Sequence, residues 1–154
     1  MNLLALQKNE QIGSDGTAAG LFSQISQIHQ ELQTKNLPPD LLQALNTELQ
    51  ALNDSTLSGK PLEKFLKKTQ TQLLKLLDKH LKLVPMNHYR NQWMVMGMSA
   101  FGLPIGVAFG LSMGNIGLLG IGLPIGMAIG IGVGSSMDTK AKKEGRQLNV
   151  AIKY

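Results

Sequence analysis

Residues 93–137 read WMVMGMSAFGLPIGVAFGLSMGNIGLLGIGLPIGMAIGIGVGSSM, forty-five residues without Lys, Arg, Asp, Glu or His and with twelve of the chain's seventeen glycines. As one helix at about 1.5 Å per residue the stretch would measure roughly 68 Å, about twice the ~30 Å hydrocarbon core of a bilayer. Two spans fit where one does not. Met113-Gly114-Asn115-Ile116 is the only polar, turn-forming interruption near the middle, so the sequence predicts a two-helix transmembrane hairpin with spans at about residues 92–112 and 116–135. Each helix then satisfies its own backbone, as hydrocarbon requires.

Charge orients the hairpin. Lys82 and Arg90 precede it, Lys140, Lys142, Lys143 and Arg146 follow it, and the turn has no charge, so the positive-inside rule places both termini in the cytoplasm. Tyr89, Arg90 and Trp93 at the entry, with Lys140, Lys142 and Lys143 at the exit, are the expected anchors in the headgroup layer.

The hairpin repeats itself at a spacing of twenty. Gly102-Leu103-Pro104-Ile105-Gly106 recurs as Gly122-Leu123-Pro124-Ile125-Gly126, and glycine then continues at every fourth residue: Gly110 and Gly114 in the first copy, Gly130 and Gly134 in the second. Residues four apart share a helix face, and glycine there lets another backbone come close, so each helix presents a glycine zipper. These eight glycines are the expected helix-packing and oligomerisation residues. Homo-oligomerisation is the leading expectation, because glycines at about 1 kcal/mol each relative to alanine leave a lone hairpin weak. The alternative is that the two stripes pack on each other within one chain.

A turn centred on Gly114 sets Gly102 level with Gly126, Gly106 with Gly122 and Pro104 with Pro124, the prolines lying about 15 Å from the tip. Each proline removes an N–H and frees a carbonyl, of Ala100 and of Gly120, which makes Pro104 and Pro124 a candidate hinge. A static kink is the plainer reading.

With its repeated GLPIG, its GIGLPIGMAIGIG and its tail MDTKAKKEGRQL, the run from Trp93 to Ile152 resembles small bacterial membrane proteins grouped as glycine-zipper family proteins. The resemblance covers about the last sixty residues. It implies a bacterial, hence inner-membrane, multi-pass protein and brings no activity or cofactor with it. A looser likeness, to the rotor-ring subunit of ATP synthases, fails at mid-membrane, where that family needs a carboxylate and the second span has none.

Outside the hairpin, 154 residues and a net charge of +5 leave room for one small soluble domain. With no cysteine there are no disulfides, thiolate metal sites or thiol nucleophiles. Met1–Leu6 is too short for a signal-peptide core and is followed by Lys8 and Glu10. Residues 1–16 read as a flexible arm. Residues 17–84 read as three amphipathic helices: Leu21, Ile25, Ile28 and Leu32, with Phe22 beside them, stripe the first, Leu42, Leu45, Leu49 and Leu52 the second after Pro38-Pro39, and Leu62, Phe65, Leu66, Leu73, Leu74, Leu76, Leu77, Leu81 and Leu83 the third from Pro61. Residues 85–137 then hold the hairpin and 138–154 a basic cytoplasmic tail. Within the tail Leu148, Val150 and Ile152 alternate, marking a short strand or a docking segment.

Residues 1–59 carry two basic and six acidic side chains, net −4, and residues 60–154 thirteen and four, net +9. The first two helices therefore complement the third by stripe and by charge, which predicts a three-helix cytoplasmic domain. The alternative lays the third helix on the bilayer with its lysines against anionic headgroups.

No catalytic constellation emerges, and neither a cofactor nor a metal site is expected. His29, His80 and His88 fall in separate elements, with no acid and nucleophile at a defining spacing. Met94, Met96 and Met98 hold soft thioethers, but on a helix Met96 points away from the other two. The lysines belong to no nucleic-acid motif and cluster beside the membrane. The expected partners are the bilayer, further copies of the chain, and a soluble or membrane protein met through the N-terminal helices. Three non-enzymatic functions fit: a homo-oligomeric channel or pore, placed first; a non-conducting membrane scaffold or adaptor; and a toxin-like inserting hairpin, similar to pore-forming bacteriocins in layout alone. Against the channel stands the scarcity of polar lining beyond Ser99, Ser112 and Asn115.

Overall fold

A computed structural model of the chain describes residues 2–8, 12–13 and 16–152. The protein is mostly helical and divides into two compact units, residues 1–85 with 148–154, and residues 86–147.

Three helices whose apolar residues recur every three or four positions build the first unit. α1 (Thr17–Gln33) buries Leu21, Ile25, Ile28 and Leu32, α2 (Pro39–Asn53) buries Leu41, Leu42, Leu45, Leu49 and Leu52, and α3 (Gly59–Leu81) buries Leu62, Leu66, Leu73 and Leu77. They share one core. Each fully buried leucine is worth about 1.5–3 kcal/mol, so this core has first claim on the stripe of α3. Lys64, Lys67, Lys68 and Lys75 stay on the exposed face, and the stripe is not free to lie on a bilayer. Pro39 opens α2 where its missing N–H is an orphan in any case. Lys82, left-handed at φ 55°, ends α3.

One segment of this unit departs from the sequence reading, and a second takes one of the two forms that reading left open. Asn2–Lys8, a loose arm by composition, lies outside any helix or strand with its backbone bonded to α2 and α1: Leu4 N–H donates to Asn46 Oδ1 (2.8 Å), Gln7 N–H to Asn53 Oδ1 (2.9 Å), and Leu4 O accepts from His29 Nε2 (2.8 Å). The rest of the predicted arm lies largely outside the described residues, apart from Ile12, which is buried, Gly13 and Gly16. The basic tail is also not one piece. Its last part forms β2 (Gln147–Ala151), paired with β1 (Val84–Met86), and its alternation is the burial pattern of a strand: Leu148, Val150 and Ile152 enter the core while Asn149 faces out. Asn149 N–H donates to Glu31 Oε1 of α1 (2.7 Å).

The second unit is a helical hairpin. α4 (His88–Gly97), a five-residue π turn (Met98–Gly102) and α5 (Leu103–Ser112) form one continuous run. A 3₁₀ turn (Ile116–Leu118) leads into α6 (Leu119–Lys143). The two runs, of 25 and 28 residues, are long and apolar enough to cross a membrane. At about 1.5 Å per residue they reach roughly 38 and 42 Å. Only 22% and 17% of their most apolar stretches are buried.

The reversal falls at Met113–Asn115. Gly114 adopts φ 64°, and Asn115 N–H donates to Gly110 O (3.0 Å) while Gly114 N–H reaches Leu111 O (3.4 Å), the Schellman closure that a left-handed glycine permits. The Asn115 side chain then accepts from Gly117 N–H (2.9 Å) and starts the return helix. α6 outruns the predicted span end at Ser135 by two turns. The basic residues Lys140, Lys142 and Lys143 suit the negative end of a helix, and Gly145 (φ 69°) closes it with Arg146 N–H on Ala141 O (2.9 Å).

Candidate functional site: a glycine contact closed by Asp138

Gly122, Gly126, Gly130 and Gly134 fall at every fourth residue of α6 and are buried, as are Gly97, Gly102, Gly106 and Gly110 on the outgoing run. Their neighbours are backbone of the opposite helix. A Cβ at Gly126 would lie 2.5 Å from Gly102 N and 2.6 Å from its Cα, and one at Gly122 would lie 2.7 Å from Gly106 Cα. At Gly134 it would meet Arg90 Cα at 2.5 Å, and at Gly130 Met94 Cα at 3.0 Å. No side chain fits there.

Contacts between the two rows are reciprocal. The Cβ direction of Gly97 aims at Gly126 O and that of Gly126 at Gly97 O; Gly102 and Gly122 aim at each other's carbonyls in the same way. Each glycine thus turns a Cα hydrogen toward a carbonyl across the contact, a geometry worth about 0.5–1 kcal/mol apiece and available only at such close approach. The glycine rows therefore meet within one chain. Of the eight glycines singled out in the sequence, six press on the opposite backbone, Gly110 makes an ordinary contact (3.5 Å to Asn115 O), and Gly114 sits in the turn with nothing within 4 Å.

Gly97 takes the place in the row that four-residue spacing assigns to no glycine. It precedes Gly102 by five residues, a step that an α-helix would carry round to another face. The π turn absorbs it: Leu103 N–H bonds to Met98 O, five residues back, so one extra residue fits in the turn and Gly97 returns to the contact. Pro104 lies just beyond this turn and Pro124 lies inside an uninterrupted α6, both exposed. One GLPIG copy is accompanied by a π turn and the other is not, so proline alone does not produce it. The counterpart of Gly97 in the second copy is Gly117, which sits in the 3₁₀ turn and meets only the Asn115 side chain.

Asp138 continues the series of α6 one step beyond Gly134 and is 7% exposed. Its Oδ1 accepts from Tyr89 N–H (3.1 Å) and its Oδ2 from Arg90 N–H (2.9 Å). The N-cap residue of α4, Asn87, is left-handed (φ 58°) and makes no side-chain cap bond, so the carboxylate on the other helix satisfies the orphan donors instead. A negative charge there also meets the positive end of the α4 dipole. Four residues after the last glycine, the row ends in a polar clasp.

Around the clasp lie the expected anchors. Tyr89 and Trp93 are half-buried, while Arg90, Lys140, Lys142 and Lys143 are exposed. Arg146 donates to Glu144 (Nε to Oε2, 2.7 Å), and this bond, followed by one to Tyr89, holds the guanidinium above its ordinary range. Met94 and Met98 are half-buried and Met96 is exposed, as the helical spacing implies. His88 stacks edge-on against Tyr89 (5.2 Å, 79°), His80 is exposed on α3, and His29 is buried in α1.

Asp138 and Gly97 escape a search for glycine at four-residue spacing. Asp138 is legible as the next member of that series, and Gly97 as a member of the twenty-residue repeat. No family model, no curated protein and no solved structure matches the chain.

Proposed function

We propose that the chain is a two-span protein of the bacterial inner membrane, with both termini cytoplasmic, in which the hairpin is a non-conducting anchor and the N-terminal helical unit is a scaffold or adaptor for a partner protein. One observation supports this reading above the others: the glycine rows are used up against each other, and what the hairpin turns outward is large and apolar. Phe101, Leu103, Leu111, Ile116, Ile121 and Ile129 are between 40% and 78% exposed. Lipid is the solvent that such a surface fits, since the core helix of a water-soluble domain would have it covered.

A pore needs a polar wall, and the hairpin supplies little. Ser99 Oγ is occupied by the carbonyls of Val95 and Met96, and two backbones in contact through glycine leave no lumen between them. In this reading any association of copies uses the large outward side chains. Purified protein in planar bilayers should pass no discrete current; reproducible unitary events would sink the anchor reading and restore the channel.

A further inference from the structure

Asn46 and Asn53 treat the N-terminal segment as a bound peptide. Asn46 Oδ1 accepts from Leu4 N–H (2.8 Å) while its Nδ2 donates to Asn2 O (3.2 Å). Asn53 repeats the pattern one step along, accepting from Gln7 N–H (2.9 Å) and donating to Ala5 O (2.9 Å). Between them His29 Nε2 donates to Leu4 O (2.8 Å), since a carbonyl can only accept.

The repeat has a geometric origin. Seven residues along α2 rise about 10.5 Å, and three residues of extended chain cover about 9–10 Å. Two turns of helix therefore stay in register with a three-residue step of the segment. Leu3 and Leu6, also three apart, are the side chains of that segment packed against the core. All five polar contacts go to backbone groups, so they would be made with any extended segment that placed leucines three apart.

Charge does not narrow the ligand further: Glu31 accepts from Asn149 N–H, Glu31, Asp40 and Glu48 fall on other helix faces than His29, Asn46 and Asn53, and Lys35 stands beside Asn2 and Leu3. The groove continues past the resident segment, as a cavity of about 400 Å³ beside Asn2 and Leu3 with Leu32, Leu37 and Leu42, and also Lys35, in its wall.

We infer that the groove formed by His29, Asn46 and Asn53 is a receptor for an extended Leu-x-x-Leu segment of a partner protein, and that Asn2–Lys8 is its tethered competitor. The inference names the partner's chemistry for the adaptor reading and rests on that reading for its purpose. The groove and its test involve no bilayer, so failure here would leave the membrane anchor untouched.

The test uses a fluorescent peptide of residues 2–8 and full-length protein in detergent beside a variant lacking those residues. Anisotropy should show saturable binding to the deletion variant and about tenfold weaker binding to the intact chain, whose groove is filled. Asn46→Ala with Asn53→Ala in the deletion background should weaken binding by about tenfold or more. Absence of binding to a deletion variant with an intact helical circular-dichroism signal would overturn the proposal, as would equal binding to the double-alanine variant. In the intact chain, which needs no deletion, excess peptide should speed hydrogen exchange at the amides of Leu4 and Gln7; unchanged exchange would count against a displaceable competitor. If free peptide fails while intact chains exchange the segment and form a concentration-dependent dimer, the occupant is a second copy and the partner assignment falls.

Discussion

Gly126→Ala and Gly132→Ala make the same chemical change on one helix and should have opposite results. A Cβ at Gly126 meets Gly102 backbone at 2.5 Å, and one at Gly132 meets nothing within 4 Å. The first substitution has to push two backbones apart and should destabilise the hairpin by about 1–3 kcal/mol. The second gains helix propensity and should stabilise by up to about 1 kcal/mol. Unfolding in mixed micelles followed by circular dichroism separates them, and equal shifts would contradict the packing. Asp138→Ala leaves the N–H groups of Tyr89 and Arg90 without acceptors, at about 1–2 kcal/mol. Asp138→Asn keeps one acceptor and should cost less, and faster exchange of those two amides is the readout. At this scale the sequence was informative where chemistry is periodic: four-residue spacing picks out the glycine face of α6. It is silent on which backbone that face meets, because a glycine row fits its own hairpin and a second copy equally well.

The π turn is the element on which two explanations compete, a proline that breaks the helix and a glycine that must be brought to the contact. Since Pro124 sits in a regular helix, the second is favoured, and Pro104→Ala should keep the turn. Deleting Ala100 should convert it to regular α-helix, because Gly97 then precedes Gly102 by four residues in space and needs no extra turn. Backbone chemical shifts of the hairpin in micelles report both, and loss of the turn in Pro104→Ala would assign it to the proline. α1, α2 and α3 are readable within a few residues from their leucine periods, and the reversal at Gly114 from the only polar break. The alternation of Leu148, Val150 and Ile152 offers β2 as one of two readings, but the pinned N-terminal segment and the pairing of β2 with β1 are not readable in the same way. They are short, and their partners lie far off in sequence: Leu4 meets Asn46, and Asn149 meets Glu31. Local patterning has no term for such pairs.

Taken as a whole, the molecule presents two kinds of surface. The first unit hides its leucines and shows water its lysines, whereas the hairpin hides glycine and shows phenylalanine, leucine and isoleucine. Composition alone announced that division; the inward turn of the glycines, which moves the preferred function from pore to anchor, required the packed helices. Alkaline carbonate extraction of membranes from cells producing the intact chain tests the division most directly. The protein should remain with the membrane pellet and come into solution only with detergent. Recovery as a dispersed monomer in the carbonate supernatant would contradict the account.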